Sequence, residues 1–138
     1  LTAAFPGEAR IIGMARELNN YKAEWCAEKI RTAMLEFELS EQREPCVALM
    51  GLAFKPNIDD LRESPAKTIA SKVMQRYSNA DILIVEPNVT EHRQFKLTNY
   101  KEAYERADVV VFLVNHKEFA ELNYRTNVKV LDFCGTFK

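Results

Sequence analysis

The sequence predicts an α/β fold: an open, mostly parallel sheet with helices on both faces, preceded by a long connecting helix. Three observations point there. Residues 8–38 carry apolar side chains at helical spacing over a long stretch. After residue 45, apolar runs of strand length alternate with helical stripes four or five times within about 90 residues. Nearly half of the 138 residues, 47%, are apolar, enough to bury one sizeable core but not two.

The first helix is written in Ile11, Ala15, Leu18, Cys26, Ile30, Ala33 and Phe37, with Ile12, Trp25 and Met34 beside them. Its seam is interrupted near Lys22, where Asn19 and Asn20 either cap a break or touch a partner chain. A helix of about 25–30 residues, at ~1.5 Å rise per residue, exceeds the width of a small domain, so part of it is expected to pack on an upstream domain or a partner chain. Residues 46–52 form a continuous apolar run, as expected for a strand covered on both faces. A loop over 53–63 follows, and then Ser64-Pro65 supplies a capping hydroxyl and a proline at the first helical position.

The next helix carries Ile69, Val73 and Tyr77 on one stripe, with Ala66, Ala70 and Met74 beside it. Residues 81–85 read as a second buried strand, closed by Glu86-Pro87-Asn88 because proline cannot donate to a ladder. A short helix fits 100–107, and 108–114 is the strongest strand in the chain, rich in stiff valines. A helical turn near 117–122 leads to a last strand over 128–133. In such sheets ligands bind outside the carboxyl ends of the strands, so the informative loops follow Leu52, Val85, Val114 and Phe133.

Charge excludes some functions. Lys and Arg total 19 against 20 for Asp and Glu, a net charge of -1 with no basic stripe for nucleic acid. The longest apolar runs fall far short of the roughly 18 residues needed to cross a bilayer, so no membrane partner is expected. Cys26, Cys46 and Cys134 are widely spaced, without a CxxC pair or clustered histidines, so neither a disulfide framework nor a metal site is expected. Reduced thiols fit the cytoplasm. The chain opens on Leu1, and its first segment reads as the interior of a longer sequence.

The loop after the first strand has one glycine, Gly51, where a dinucleotide fingerprint needs three. It offers instead Lys55 and Arg62 at the mouth of the sheet, with Phe54 beside the lysine. An ammonium suits phosphate as a point charge, and a guanidinium suits bidentate contact with phosphate or carboxylate. On spacing alone, both cations serve equally well as surface partners of Asp59, Asp60 or Glu63. Asp59 and Asp60 adjoin each other but need not share a proton, so they are not read as a general-base pair. Glu86 either faces a ribose hydroxyl or, more often for Glu-Pro, marks a turn. Asn115 and His116 follow the strongest strand on the ligand side, with His116 read as solvated.

The run Gly51-Leu52-Ala53-Phe54-Lys55-Pro56-Asn57-Ile58-Asp59-Asp60-Leu61-Arg62-Glu63-Ser64-Pro65-Ala66 resembles the signature of the UDP-glucose/GDP-mannose dehydrogenase family, in its C-terminal UDP-binding domain. It is most similar to the UDP-N-acetylmannosamine dehydrogenase branch, as is Ala15-Arg16-Glu17-Leu18-Asn19-Asn20-Tyr21-Lys22. The resemblance implies a Rossmann-like sheet that binds the UDP moiety, with residues 1–40 as the end of a central connecting and dimerisation helix and 41–138 as the UDP-sugar-binding domain. It implies a full-length NAD-dependent enzyme that oxidises the sugar C6 alcohol to a carboxylate in two hydride transfers through a cysteine thioester. UDP-glucose and UDP-N-acetylglucosamine are the competing substrates. Its partners would be the UDP-sugar, an N-terminal NAD domain of the same protein, and a second copy through the long helix.

By the same resemblance Phe54 and Lys55 contact substrate, and Arg62 reaches the cofactor. The family's catalytic cysteine lies in a G-x-C-x-x-x-D-P segment, which does not occur here. No catalytic residue is therefore expected in this chain, which should be inactive alone. Cys26 and Cys46 read as packed small hydrophobes. The end of the chain departs from the family pattern: Cys134 stands where a basic residue contacts substrate. Either Lys138 supplies that charge, or the substrate loses a contact of the order of 1–3 kcal/mol. Two other classes remain: a dimerisation module with little ligand affinity, and a flavodoxin-like signalling domain, against which Asn115 ends the third strand where an acid is wanted.

Overall fold

A computed structural model describes residues 6–53, 55–62, 64–77, 80–123 and 125–134, with residues 6–20 described by backbone alone. Helix α1 spans Pro6–Glu41 and runs through the expected interruption. Its 36 residues exceed the 25–30 anticipated, and Asn19 and Asn20 cap no break. No proline follows Pro6 before Pro45, and a polar residue on the seam costs packing without removing an intrahelical bond.

Four parallel strands form the sheet: β1 (Cys46–Met50), β2 (Asp81–Val85), β3 (Val109–Phe112) and β4 (Lys129–Asp132), in the order β2-β1-β3-β4. Between them run α2 (Pro65–Arg76), α3 (Tyr100–Arg106) and the 3-10 turn Lys117–Glu121. The strands alternate their side chains between two apolar layers, one on each face of the single sheet, so one domain interior is divided by the sheet itself. Val47, Leu49, Ile84, Val109 and Val111 face α1 and α2, meeting Cys26, Ile30, Met34, Ile69 and Val73. Ala48, Met50, Val85, Val110 and Phe112 face the other way, toward Ala103, Tyr104 and Phe119. Both faces are therefore covered by helices, which is why β1 and β3 read as unbroken apolar runs rather than alternating ones.

Several strands end earlier than their apolar runs. The amides of Leu113 and Val114 both turn to the carbonyl of Met50, at 2.9 and 3.3 Å, so ladder pairing of β3 stops at Phe112. On α2, the cap is as expected: Ser64 Oγ accepts the N–H of Lys67 and donates to the carbonyl of Ala53. At the opposite end of the sheet, Asp108 takes both Nη1 and Nη2 of Arg43, at 2.9 and 3.0 Å, together with the N–H of Cys46. That bidentate pair ties the connection after α1 to the start of β3 and, with the Cys46 N–H, holds the Asp108 carboxyl below its ordinary value.

Candidate functional site at the carboxyl ends of the strands

The chain leaves β1 toward β2 on one side and then crosses back to β3 on the other, so the loops after β1 and β3 diverge. At such a switch point a crevice opens beyond the strand ends. Here it is a cleft of ≈ 260 Å³ between Ala53, Pro56, Pro65, Ala66, Asn115 and Cys134. A larger hollow of ≈ 330 Å³ beside Tyr104 and Arg125 lies against α3, and one of ≈ 420 Å³ lies beyond the end of β2, lined by Glu86, Pro87, Thr98 and Glu118. Neither is lined by the loop after β1, so the switch point between β1 and β3 favours the smaller cleft.

Gly51 makes the crevice possible. Its φ of +104° lies where side chains are rarely tolerated, and a Cβ there would stand 2.8 Å from Val114 Cβ and 3.1 Å from the Val114 nitrogen. The close approach lets the chain leave β1 directly over the end of β3. Glycine serves this close packing of backbone on backbone, and the single glycine of the loop is thereby accounted for.

Behind the cleft lies a buried polar network. Glu86, 3% exposed, accepts the N–H groups of Leu52 and Ala53 on Oε1, each at 2.9 Å. Oε2 accepts the N–H of Asn88 at 2.9 Å, the first amide available after Pro87. His116 is completely buried, with Nε2 2.9 Å from Glu86 Oε1. Its Nδ1 accepts the N–H of Asn57 at 2.8 Å, which assigns the ring proton to Nε2 as the donor to Glu86. Asn57 in turn accepts the N–H of Lys117 at 2.7 Å and adopts a left-handed φ of 63°. Burial pushes the Glu86 carboxyl up, but the bonds from His116, Asn88 and Leu52 outweigh it and hold the group below its ordinary value.

One sequence expectation is corrected here: His116 is not solvated but completely buried. Glu86 does open a turn, as expected for Glu-Pro, with the Val89 N–H donating to its carbonyl at 3.3 Å, while its carboxylate turns inward. The partners of both side chains lie about 30 residues or more away along the chain, beyond the reach of a local pattern. Sequence reasoning also passed over Asn57. Its signal was the Pro56-Asn57 pair, since asparagine accepts the left-handed turn conformation that proline often precedes.

The predicted contact residues are distributed as follows. Lys55 is exposed on the same loop, one residue before Pro56 in the cleft wall. Cys134 lines the cleft, its N–H donating to Asp132 Oδ1 at 3.3 Å. Arg62 bonds Asp60 through its backbone N–H at 3.0 Å and its Nε at 3.1 Å, with 89% of its side chain exposed. The surface pairing considered for Arg62 is thus present, and Arg62 holds the Asp60 carboxyl below its ordinary value. Phe54 and Lys138 lie outside the described residues. Cys26 is buried on α1 and its thiol is pushed up by burial, while burial and then Asp81 push the Cys46 thiol up to about 12. Neither has the lowered pKa of a nucleophile. Among the described residues, no cluster of three or more His, Cys, Asp or Glu side chains could hold a metal ion, and no helix is long and apolar enough to cross a membrane.

A family model for the UDP binding domain of UDP-glucose/GDP-mannose dehydrogenases matches residues 48–135, which include every strand end just described. The chain belongs to the UDP-glucose/GDP-mannose dehydrogenase family. Within this family it is 41% identical to a UDP-N-acetyl-D-mannosamine dehydrogenase of Campylobacter jejuni, over 94% of this chain and 31% of that protein. It is equally identical, 41%, to the enzyme of that name from Escherichia coli K12, over 89% of this chain and 31% of that protein. An NDP-N-acetyl-D-galactosaminuronic acid dehydrogenase of Ralstonia nicotianae is 39% identical, over 87% and 28%. The chain spans about a third of the length of these curated relatives. Its fold matches that of a UDP-N-acetyl-mannosamine dehydrogenase from S. aureus at a TM-score of 0.69 and 21% identity, covering 94% of this chain and 34% of that one.

Proposed function

We propose that this chain is the nucleotide-sugar-binding part of an NAD-dependent UDP-N-acetyl-D-mannosamine 6-dehydrogenase, and that by itself it binds UDP without turnover. The observation that carries this is the switch-point cleft, walled by the family's signature loop. The names of the two 41% identical relatives support the sugar. The galactosaminuronic acid relative keeps a second N-acetylated hexose in view, with UDP-glucose and UDP-N-acetylglucosamine as further alternatives. Residues 1–40 are assigned as connecting helix and 41–138 as UDP-sugar-binding domain.

Lys55 and Phe54 are proposed to contact the nucleotide sugar, the lysine as a point charge for phosphate. Cys134 contributes cleft wall in the place of a basic residue, and Lys138 is the nearest cation in sequence to replace it. Arg62, extended from the domain surface, is proposed to reach toward the cofactor. NAD supplies the hydride acceptor in this reaction. The turn after β1 does not fit it: it has one glycine, and its Leu52 and Ala53 amides are already bonded to Glu86. This sheet therefore binds substrate, and the cofactor belongs to other parts of the full-length enzyme.

A homodimer through α1 is part of the proposal. Tyr21, Trp25, Leu35 and Leu39 lie exposed, at 69%, 47%, 41% and 83%, along the helix face opposite Cys26, Ile30 and Ala33. A cytoplasmic location fits the three free cysteines. Calorimetry of UDP and NAD against this chain tests the reading, with heat expected from UDP alone. NADH formation by the isolated chain, or failure to bind UDP, would overturn it.

A further inference from the structure

In dinucleotide-binding sheets, the backbone N–H groups of the turn after the first strand face the ligand's pyrophosphate. Here the corresponding N–H groups, those of Leu52 and Ala53, converge on Glu86 Oε1. The chain thus carries its own anion where such folds hold a phosphate. The same oxygen faces His116 Nε2, His116 Nδ1 holds the amide of Asn57, and Asn57 Oδ1 holds that of Lys117. Bonds spanning 30 to 60 residues of sequence thereby lock together the loops after β1, β2 and β3.

Core packing alone does not call for this arrangement. A buried carboxylate and imidazole carry a desolvation cost that an apolar pair of equal volume avoids. The partners are also loop amides rather than strand amides: Asn57 directly follows Pro56, which forms part of the cleft wall, and lies two residues after Lys55.

We propose that Glu86, His116 and Asn57 are positioning residues, which hold residues 55–57 as one wall of the switch-point cleft and, by filling the turn after β1 with a protein carboxylate, direct a nucleotide's diphosphate to the side lined by Pro65, Ala66, Asn115 and Cys134. This rests on the nucleotide-sugar reading above. The diphosphate is displaced sideways from its place in a dinucleotide site, and the loop that carries Lys55 is held by the bond from the Asn57 N–H to His116, which itself does not touch the ligand.

UDP titrated into the 15N-labelled chain, with amide exchange measured in parallel, tests both halves. In the wild type, UDP should shift the amides of Ala66, Asn115 and Cys134, while those of Leu52 and Ala53 stay protected. Two substitutions separate the roles of His116. His116→Asn places a carbonyl near the position of Nδ1 and keeps an acceptor for Asn57, whereas His116→Gln reaches the position of Nε2 and keeps only the donor to Glu86. His116→Gln should weaken UDP binding about tenfold, with faster exchange at Asn57, and His116→Asn should stay within about threefold, although both melt below the wild type.

Larger UDP-induced shifts at Leu52 and Ala53 than in the cleft would overturn the proposal. So would equal loss of UDP affinity in the two variants, which is the mark of a merely structural role. If the wild type binds no UDP, the nucleotide-sugar reading fails, and the positioning network is judged on exchange alone. Asn57 and Lys117 amides exchanging as fast in the wild type as in His116→Gln would then remove it.

Discussion

Replacing Gly51 by alanine should damage the fold and the cleft together. The new methyl would sit at φ +104°, a backbone conformation costing an L residue about 1–2 kcal/mol. It would also stand 2.8 Å from Val114 Cβ and 3.1 Å from the Val114 backbone nitrogen. The nitrogen cannot swing away as a side-chain tip would, because the Val114 N–H is anchored 3.3 Å from the carbonyl of Met50. Overpacking of that kind costs about 1–3 kcal/mol. The two effects sum to about 2–5 kcal/mol, a large share of the stability of a domain this size, and lower Tm by about 8–20 °C. Thermal melts by circular dichroism read this out. Gly51→Ala in a Val114→Gly background should lose less than in the wild type, since the Cβ clash is gone while the φ strain remains. A Gly51→Ala variant within about 0.5 kcal/mol of the wild type would refute the close-approach argument.

Three further outcomes follow from the same contacts. A carboxyl whose folded pKa is depressed stabilises the fold above its unfolded pKa, about 4.3 for glutamate, and that contribution disappears as pH falls through the folded value. Glu86→Gln should therefore cost about 1–3 kcal/mol at pH 7 and progressively less toward pH 3 in urea melts, and a constant deficit across that range would contradict the assignment. Cys26 and Cys46, pushed up mainly by burial, should resist iodoacetamide at pH 8, while Cys134 in the cleft reacts first and is slowed by UDP; labelling is read by mass spectrometry. Tyr21→Glu with Leu39→Glu should convert a dimeric sample to monomer by light scattering and leave UDP affinity intact, because both side chains lie exposed on α1 while the cleft lies at the strand ends.

Much of this architecture was legible before folding was considered. The runs over 46–50 and 109–112 are continuous because helices cover both faces of the sheet, and apolar continuity at strand length is a local signal. Ser64-Pro65 announced the start of α2 for an equally local reason, since a cap acts on amides two or three residues ahead. The sequence places the loop from Gly51 to Ala66 at the mouth of the sheet, and Ala53, Pro56, Pro65 and Ala66 line the cleft there. Arg62 was divided between surface pairing and ligand contact, and Asp60, two residues away, takes it in the structure.

What the linear order determined by itself was therefore whatever depends on near neighbours: helix and strand type, their sequence, the parallel class, and the family to which the signature loop belongs. Only the tertiary structure decided that Glu86 and His116 are partners, that Asn57 is their third member, and that Val114 dictates glycine at position 51. The physical reason lies in the range of the interactions. Backbone propensity and apolar periodicity act over a few residues, whereas a buried charge is tolerable only when donors from distant loops arrive together. A single glutamate before a proline carries no local mark of the three loops that meet on it.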